Sequence, residues 1–432
     1  MTRGFNTRSL HAGAEVDPAT GSRATPIHQT TSFVFDDADT AAELYALRAE
    51  GHIYSRLSNP TVTVLEDRLA DLSGGSDAVA TGSGMAAFDA ITTVLASAGD
   101  NVVASSEMYG GTAAYLTSIA NRRGIETRLV DTLDYEAYEN VIDEDTAFVH
   151  VETIANPSLV TPDFERLAEI AHENAVPLVV DNTFASPYLC RPFEHGADIV
   201  WESTTKWITG NGTTVGGIVV DGGSFPWDHP DADYDELDGK SPAYPIDFVE
   251  QFGDAAFANV ARQRGVRPTG GQQSPFDAWQ TIQGLNTLPL RMERHCENAR
   301  AVAEFLRDDD RVGWVAYPGF EDHQSHDNAD EYLDGFGGMV TFGVDGGYEA
   351  AKTLCESVEL TSFLANIGDA KTLVIHPAST THAQMDETQQ RLAGVFPDML
   401  RLSVGIEDPD DVIADLDRGL AAGERAVAGE GT

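Results

Sequence analysis

Short apolar runs alternate with longer amphipathic stretches through the middle of the chain. The amphipathic stretches repeat apolar residues every three or four positions, as helices do, and 164–173 does so most clearly. The apolar runs between them have the β-branched character of strands. This alternation predicts an α/β fold with a mostly parallel sheet covered by helices on both faces. The predicted strands are 78–81, 101–106, 126–131, 147–153, 176–180, 198–201 and 217–220.

The pattern changes after the last of these strands. Residues 221–244 are rich in Gly, Pro, Trp and Asp and predict a surface insertion. Helical periodicity returns over 276–306, strands are predicted at 338–342 and 399–404, and acidic residues from Asp408 begin the last helix. The predicted division is an N-terminal arm over 1–60, a large domain over 61–270 with an insertion at about 221–260, and a smaller C-terminal α/β domain over 271–432.

The strongly negative net charge of the chain excludes some classes of binding partner. The chain of 432 residues has 27 Lys and Arg against 70 Asp and Glu, which gives a formal net charge of −43. Phosphate backbones and anionic membrane surfaces attract basic patches, so we predict neither a nucleic-acid partner nor a membrane partner. Lysine is nearly absent. Such a surface stays soluble in concentrated salt, which screens its self-repulsion, and we predict a halophilic origin.

The cysteines and the N-terminus indicate a reduced, cytoplasmic setting. Cys190, Cys296 and Cys355 show no Cys-x-x-Cys spacing, so neither a disulfide framework nor a structural zinc site is predicted. His376 and His382 have no third ligand in a metal-binding spacing, and no metal is predicted. Because the chain has neither an apolar signal region nor a run of about 20 apolar residues, we predict a soluble cytoplasmic protein.

A glycine-rich turn is the first candidate for binding chemistry. Gly82-Ser-Gly-Met-Ala-Ala87 lies between a predicted strand and a predicted helix, where backbone N–H groups bind anions, most often phosphate. The same letters fit the Gly-x-Gly-x-x-Ala dinucleotide pattern, with Glu107 at about the expected distance downstream. A dinucleotide-dependent oxidoreductase is therefore one alternative, and a tight turn without a ligand is another.

A lysine and an aspartate follow two of the predicted strands. In Ser203-Thr-Thr-Lys-Trp207, two hydroxyls and the Lys206 amine could hold a phosphate and form a Schiff base with an aldehyde. The alternative is an ordinary surface lysine. Asp181 ends a buried strand, where a carboxylate needs a partner and where doubly wound sheets bind ligands. A phosphate-binding turn, a lysine and an acid for a pyridinium nitrogen together indicate pyridoxal 5'-phosphate as cofactor.

These segments resemble the Cys/Met metabolism family of pyridoxal-phosphate enzymes. The resemblance covers nearly the whole chain and implies fold type I, the aspartate aminotransferase-like fold, with a large domain and a smaller C-terminal one. The similar segments, in family order, are Tyr54-Ser-Arg-Leu-Ser-Asn-Pro-Thr61, Ser83-Gly-Met-Ala-Ala87, Tyr109-Gly-Gly-Thr112, Glu152-Thr-Ile-Ala-Asn-Pro157, Asp181-Asn-Thr-Phe184, Ser203-Thr-Thr-Lys206, His376-Pro-Ala-Ser379 and Arg401-Leu-Ser-Val-Gly-Ile-Glu-Asp408.

The resemblance implies a role for each matching position. Lys206 would form the Schiff base with the cofactor and transfer protons, and Asp181 would keep the pyridinium nitrogen protonated. The other implied roles are phosphate binding for Gly84, Met85, Ser203 and Thr205, ring stacking with help to proton transfer or the leaving group for Tyr109, a bond to the phenolic oxygen of the ring for Asn156, and substrate-carboxylate binding for Arg401.

The resemblance also implies self-association. In the family, residues matching Tyr54 and Arg56 reach the cofactor phosphate of a neighbouring subunit, so we predict a homodimer, and a homotetramer built from two such dimers. Two positions depart from the family pattern, because Glu202 and Asn211 both stand where histidine is usual.

Within the family, three features resemble the O-acetylhomoserine sulfhydrylases. They are the segment 364–382, the segment 288–298 and the insertion after Asp221. Asn366, a predicted substrate-binding residue, stands where cystathionine synthases and lyases usually carry Ser. Gly111 stands where methionine γ-lyases typically have Cys, which makes that activity less expected.

The reaction implied by this resemblance is γ-replacement on O-acetyl-L-homoserine with sulfide, giving L-homocysteine and acetate in methionine biosynthesis. Cystathionine γ-synthase, with cysteine as the nucleophile, is the nearest alternative, and a γ-lyase is a further one. The acyl group, acetyl or succinyl, stays open at this stage.

Overall fold

The computed structural model describes residues 3–232, 234–237, 246–381, 383, 390 and 394–429. The strands are β1 (Asp77–Thr81), β2 (Asn101–Ser105), β3 (Glu126–Val130), β4 (Thr146–Glu152), β5 (Leu178–Asp181), β6 (Ile199–Glu202), β7 (Gly217–Asp221), β8 (Val312–Ala316), β9 (Met339–Val344), β10 (Ser362–Phe363), β11 (Leu373–Ile375) and β12 (Met399–Ser403). The α-helices are α1 (Phe5–His11), α2 (Ala38–Tyr45), α3 (Pro60–Ser73), α4 (Gly84–Leu95), α5 (Gly110–Ala114), α6 (Tyr135–Val141), α7 (Phe164–Glu173), α8 (Ser186–Leu189), α9 (Phe248–Phe252), α10 (Ala256–Val260), α11 (Arg267–Thr269), α12 (Pro275–Leu285), α13 (Leu288–Arg307), α14 (His326–Tyr332), α15 (Gly347–Ser357) and α16 (Pro409–Gly429).

The larger sheet contains every strand predicted in the first half of the chain. Within the described ranges it has seven strands in the order β1-β7-β6-β5-β4-β2-β3. Neighbouring strands are parallel except around β7, which runs antiparallel to β1 and β6. Because β4, β5 and β6 lie side by side and point the same way, their carboxyl ends meet at one edge of the sheet. Glu152, Asp181 and Glu202 are the last residues of these three strands.

Helices cover both faces of the larger sheet, as the alternating pattern predicted. Buried residues of α3, α7 and α12 share one core with one face of the sheet. Buried residues of α4 and α10 share a second core with the other face, where Phe88 meets Phe148 and Trp201 at ring-centroid distances of 6.2 and 5.4 Å. Every residue of β2, β4, β5, β6 and β7 is buried, so neither face of these strands meets water.

The segment after β7 is anchored to this second core. The aromatic side chains of Phe225, Trp227 and Tyr234 are 5–7% exposed, and Trp227 stacks on Phe257 at 5.4 Å. The described part of the predicted surface insertion therefore buries its aromatic residues instead of exposing them. The sequence pattern did not predict this burial, because the Gly, Pro and Asp residues between the aromatic residues dominate the composition of the segment.

A smaller sheet follows in the C-terminal part. Its order is β10-β11-β12-β9-β8, and only β10 and β11 pair in parallel in the part of the chain that the structure describes. The predicted strands at 338–342 and 399–404 correspond to β9 and β12. The pattern gave no signal for β10 and β11, which have two and three residues, or for β8, which is partly exposed.

The helical stretch 276–306 is two helices rather than one. The break falls between Leu285 and Leu288, and Pro289 occupies the first turn of α13, where a missing N–H costs little. Leu288 and Met292 of α13 lie in the core of the larger sheet, whereas Val302 and Leu306 lie in that of the smaller sheet. One helix thus joins the two cores. The division at 60/61 and 270/271 stays a prediction.

The N-terminal arm contributes little to either core. Among residues 3–58, only Ser9 and Leu44 are buried, and Val34 is 98% exposed. No helix in the described ranges is long and apolar enough to span a bilayer. The same ranges contain no group of three or more His, Cys, Asp or Glu side chains arranged to hold a metal ion. His382 lies outside the described residues.

Candidate active site

Lys206 lies just beyond the carboxyl end of β6, at the edge where the parallel strands end. Its Nζ donates to Oδ1 of Asn366 at 2.6 Å, and no carboxylate in the described part of the chain forms an ion pair with it. Burial, together with the nearby Arg401 guanidinium, lowers the pKa of Lys206 to about 8. A lysine in this environment holds a substantial fraction of free amine near neutral pH, which is the form that reacts with an aldehyde.

Asp181 lies at the end of the neighbouring strand β5. Its Oδ1 accepts the Thr183 N–H at 2.9 Å, and burial raises its pKa to about 7 against the opposing effect of Thr183. The Thr183 hydroxyl in turn accepts the N–H of Ser203 at 2.9 Å. The aspartate and the segment that carries Lys206 are therefore joined through one threonine, which the sequence analysis had quoted without giving it a role.

The glycine-rich turn packs directly against this segment. A Cβ added at Gly84 would lie 2.9 Å from Cβ of Ser203, so only glycine allows the two backbones to approach this closely. Gly84 and Met85 open helix α4, and Ser83 caps the helix by accepting the Ala86 N–H at 3.1 Å. The first N–H groups of a helix have no partner inside it and attract anions. The Thr205 hydroxyl, by contrast, is bonded to the Gly216 backbone.

Tyr109 lies at the start of α5 with its ring over Gly111. A Cβ added at Gly111 would lie 2.4 Å from Cε1 of the tyrosine ring, so the glycine makes room for the ring. The side chain is 49% exposed, and the backbone N–H donates to Oε1 of Glu152 at 2.5 Å. The ring is therefore anchored at its backbone and open on one side, as a stacking residue needs to be.

Arg401 on β12 projects from the smaller sheet toward the larger one. Its Nη1 donates to Oδ1 of Asn156 at 2.9 Å, and burial lowers its pKa to about 10. No carboxylate among the described residues forms an ion pair with it, so the guanidinium keeps donors available for an acid. A buried arginine without an ion-pair partner is suited to bind the carboxylate of a ligand.

Glu152 is the residue of this site that the sequence analysis missed. It is 4% exposed and accepts the N–H groups of both Tyr109 and Asn156. Its Cα pairs with that of Asp181 across β4 and β5. Burial and the neighbouring Asp181 raise the pKa of Glu152 well above its usual range, while the two N–H groups oppose this. Its position at the end of a buried strand was the available signal.

Tyr54 and Arg56 contact each other rather than the strand ends. The Arg56 guanidinium lies 5.4 Å from the centre of the Tyr54 ring, and its Nη1 donates to the Arg267 carbonyl at 2.5 Å. Neither residue forms a hydrogen bond with the other predicted site residues within the described ranges. The contacts within one chain thus bring together all the predicted site residues except this pair.

The two departures from the family pattern lie in different surroundings. Glu202 is 1% exposed, accepts the Asn182 amide at 2.9 Å, and has its pKa raised to about 8 by burial. Asn211 is exposed and donates to the Thr209 carbonyl of its own turn at 3.0 Å. The acidic substitution is therefore a buried feature behind the cofactor-binding segment, whereas Asn211 affects only a surface turn.

The fold and the site together define a pyridoxal-phosphate-dependent enzyme. A free amine at the end of β6, an acid at the end of β5 and an open helix N-terminus meet at one edge of a doubly wound sheet, where such sheets bind ligands. The chain belongs to the Cys/Met metabolism PLP-dependent enzyme family, whose sequence model matches residues 6–421.

Known relatives cover nearly the whole chain. A homocysteine synthase of Schizosaccharomyces pombe is 48% identical over 419 residues, 96% of this chain and 98% of its own. An O-acetyl-L-homoserine sulfhydrylase of Leptospira meyeri is 46% identical and covers 97% of this chain and 98% of its own. A solved structure of a putative O-acetylhomoserine (thiol)-lyase from Campylobacter jejuni, 35% identical, superposes with a TM-score of 0.93 over 97% of this chain and 100% of that one.

That solved structure contains N'-pyridoxyl-lysine-5'-monophosphate, and the fold of this chain is accordingly pyridoxal-phosphate fold type I. The residues of this chain fit the cofactor, which is pyridoxal 5'-phosphate. Lys206 would supply an amine for the aldehyde, and Asp181 a buried acid for the ring nitrogen. The first turn of α4 would supply N–H groups for the phosphate. The dinucleotide alternative is wrong, because the chain belongs to a family that depends on pyridoxal phosphate.

Proposed function

We propose that this protein replaces the acetoxy group of O-acetyl-L-homoserine by sulfide and releases L-homocysteine and acetate. The bond between Cγ and the ester oxygen breaks, and acetate leaves with the electron pair. A Cγ–S bond forms from hydrosulfide, which keeps its proton. The observation that carries the proposal is similarity over nearly the full length to relatives named homocysteine synthase and O-acetyl-L-homoserine sulfhydrylase. The reaction belongs to methionine biosynthesis.

Three charged side chains take the central roles in the proposed reaction. Bound pyridoxal phosphate withdraws electrons from the α-carbon of the amino-acid substrate. Lys206, with a pKa near 8, removes and returns the proton at that carbon. Asp181 keeps the ring nitrogen protonated, and Arg401 binds the substrate carboxylate through its planar guanidinium.

The neutral residues of the site orient the cofactor and the substrate. Tyr109 covers the ring and assists proton transfer or the departure of acetate, and Asn156 bonds the phenolic oxygen of the ring. Asn366 accepts from the Lys206 amine at 2.6 Å, which places its side chain beside the reacting group, and it would contact the substrate there. The groups that would bind the phosphate are the Gly84 and Met85 N–H groups and the Ser203 hydroxyl. The Thr205 hydroxyl would first have to release the Gly216 carbonyl, to which it donates at 3.2 Å.

The experiment that tests the reaction is a competition between nucleophiles. The holoenzyme receives O-acetyl-L-homoserine with equal sulfide and L-cysteine in concentrated potassium chloride, and products are identified by mass. We expect homocysteine as the main product and no turnover from Lys206→Ala. Mainly cystathionine would overturn the proposal in favour of cystathionine γ-synthase. A parallel run with O-succinyl-L-homoserine, which we expect to react more slowly, tests the acyl group.

We further infer that the active site is completed by a second copy of the chain, in a homodimer that pairs into a tetramer. Tyr54 is 41% exposed, and Arg56 uses only Nη1 in its bond to the Arg267 carbonyl, which would leave the other donors of the guanidinium for a neighbouring phosphate. Mixing inactive Arg56→Ala subunits with inactive Lys206→Ala subunits should restore partial activity, because hybrid dimers contain one intact site. Absence of any restored activity would contradict a shared site.

The cytoplasmic location and the halophilic origin stay predictions from composition. The halophilic origin is inferred from the acidity of the chain, which has 70 Asp and Glu residues against 27 Lys and Arg residues.

A further inference from the structure

Glu152 joins two separate segments of the site with one side chain. Its Oε1 accepts the Tyr109 N–H at 2.5 Å, and its Oε2 accepts the Asn156 N–H at 3.0 Å. Tyr109 lies 43 positions before Glu152 in the sequence and Asn156 only 4 after it, so the first bond joins the connection between β2 and α5 to the end of β4. The carboxylate itself is held at the end of β4, in the rigid centre of the larger sheet.

Neither Tyr109 nor Asn156 lies within a strand or a helix. Tyr109 directly precedes α5, which continues without a break as a π-helix over Tyr115–Ala120. Asn156 lies outside any strand or helix, and its side chain is bonded to Arg401 at 2.9 Å. The carboxylate of Glu152 therefore ties both segments to the carboxyl end of β4.

We propose that Glu152 is a positioning residue, which sets the spacing between the Tyr109 ring and the Asn156 side chain and, through Asn156, the orientation of Arg401. The inference rests on the proposed function, in which Tyr109 and Asn156 contact the cofactor and Arg401 contacts the substrate. Glu152 touches neither ligand in this assignment. It acts through the two backbone N–H groups that it holds.

The chemistry of the side chain explains why a glutamate suits this task. A carboxylate presents two acceptor oxygens and no donor, so it can hold two N–H groups at once. A glutamine presents one acceptor, and its NH₂ group faces the second N–H with another donor. An aspartate keeps the charge but is one methylene shorter. The two N–H groups favour the ionised form of Glu152 and oppose burial and the neighbouring Asp181, which raise the pKa of Glu152.

The test compares Glu152→Gln with a matched substitution, Glu107→Gln. Glu107 lies two positions before Tyr109, and its Oε2 accepts the Thr132 hydroxyl at 2.8 Å, a bond that an amide oxygen can also accept. The dissociation constant of pyridoxal phosphate is measured by fluorescence titration of each apo-protein. We expect it to increase about tenfold or more in Glu152→Gln, the effect of one charged hydrogen bond, and to change less than about twofold in Glu107→Gln.

Steady-state kinetics distinguish a positioning role of Glu152 from a nonspecific loss of activity in the variant. If Glu152 orients Arg401 through Asn156, Glu152→Gln should raise KM for O-acetyl-L-homoserine by about tenfold, beyond any fall in kcat. An unchanged cofactor affinity together with an unchanged KM would overturn the inference. The variant Glu152→Asp tests whether the negative charge alone is sufficient or whether the length of the glutamate side chain is also needed. We expect it to remain as impaired as Glu152→Gln, and full recovery in this variant would show that only the charge matters, which also overturns the inference.

A measurement on the unmodified protein keeps the inference testable if the variants do not fold. Hydrogen exchange of the apo-protein should show slow exchange at the amides of Tyr109 and Asn156, because both are held before the cofactor binds. Fast exchange at either amide would contradict the bridge. Cofactor affinity does not depend on the nucleophile, so a protein that makes no homocysteine would refute the proposed reaction while these data still decide the role of Glu152.

Discussion

The side-chain amine of Lys206 lies 2.6 Å from Oδ1 of Asn366, although the two residues are 160 positions apart. Lys206 follows β6 of the larger sheet, and Asn366 lies between β10 and β11 of the smaller one. Gly368 packs so closely behind this pair that a Cβ there would lie 2.5 Å from the Trp207 nitrogen. The smaller sheet thus forms one wall around the reactive amine.

Replacing Asn366 by aspartate should raise the pKa of Lys206, because a carboxylate beside the amine favours the ammonium form. The amine of the present protein has a pKa of about 8, so the rate of pyridoxal-phosphate uptake by apo-protein should rise with pH and level off above that value. In Asn366→Asp the rise should move upward by about one pH unit. Stopped-flow absorbance measures this, with neutral Asn366→Ser as the control. Superimposable profiles for Asn366→Asp and the unmodified protein would show that Asn366 does not influence the amine.

An alanine at position 111 should displace the Tyr109 ring, because its Cβ would lie 2.4 Å from Cε1 of that ring. The tyrosine is 49% exposed, so the ring can move aside without unfolding the protein. We expect kcat to fall about ten- to a hundredfold, since small misplacements at an active site are costly. The unfolding temperature should stay nearly constant. Gly4→Ala, which meets nothing within 4 Å, is the control, and an unchanged kcat in Gly111→Ala would count against a role for the ring.

Removing Arg262 should destabilise the protein strongly. Its Nη1 lies 2.8 Å from Oε1 of Glu66, and the two side chains are 15% and 4% exposed. Arg262→Met leaves a buried carboxylate without its partner, which costs about 3–5 kcal/mol of unfolding free energy. Arg48→Met breaks an equally short pair with Glu43 whose side chains are 61% and 48% exposed, and should change stability little. Denaturant titration measures the free energy of unfolding of both variants. Equal losses of stability in Arg262→Met and Arg48→Met would show that the burial of the Arg262–Glu66 pair does not matter.

Glu202 should make stability depend on pH. Its folded-state pKa is raised from 4.5 to about 8 by burial, so ionisation is easier in the unfolded chain. The free energy of unfolding should therefore fall as pH rises from about 4.5 to about 8. Glu202→Gln cannot ionise and still accepts from Asn182, so it should lose less stability over this range. Denaturant titrations at several pH values measure the difference. Glu165→Gln, whose native side chain is 64% exposed, should keep the unmodified pH dependence.

Salt should stabilise the chain. At a net charge of −43, repulsion between surface carboxylates opposes the folded state. The Debye length falls from about 10 Å at 0.1 M salt to about 3 Å at 1 M, so potassium chloride should raise the unfolding temperature over this range. Sucrose, which carries no charge, is the control for effects other than screening. An unfolding temperature that is flat in salt would argue against a halophilic protein.

Local patterns were enough to predict the larger sheet. Five of its seven strands, β2, β4, β5, β6 and β7, are buried at every residue and coincide with mainly apolar runs, because strands inside such a sheet are covered on both faces. The cofactor followed from Lys206, Asp181 and the turn at Gly84, since each lies next to a strand end that a doubly wound fold brings to one edge. Short strands such as β10 were not predicted, because two residues are too few to show an alternation of apolar and polar positions.

The sequence by itself determined the fold class, the family and the cofactor, because these depend on periodicity and on residue types at fixed short spacings. Only the tertiary structure decided which distant residues meet. The Lys206–Asn366 bond, the Arg401–Asn156 bond and the hold of Glu152 on Tyr109 each join residues that lie far apart in the chain. Such contacts depend on how the two sheets and their loops pack together, and no local pattern encodes the position of a backbone N–H or an amide oxygen in space.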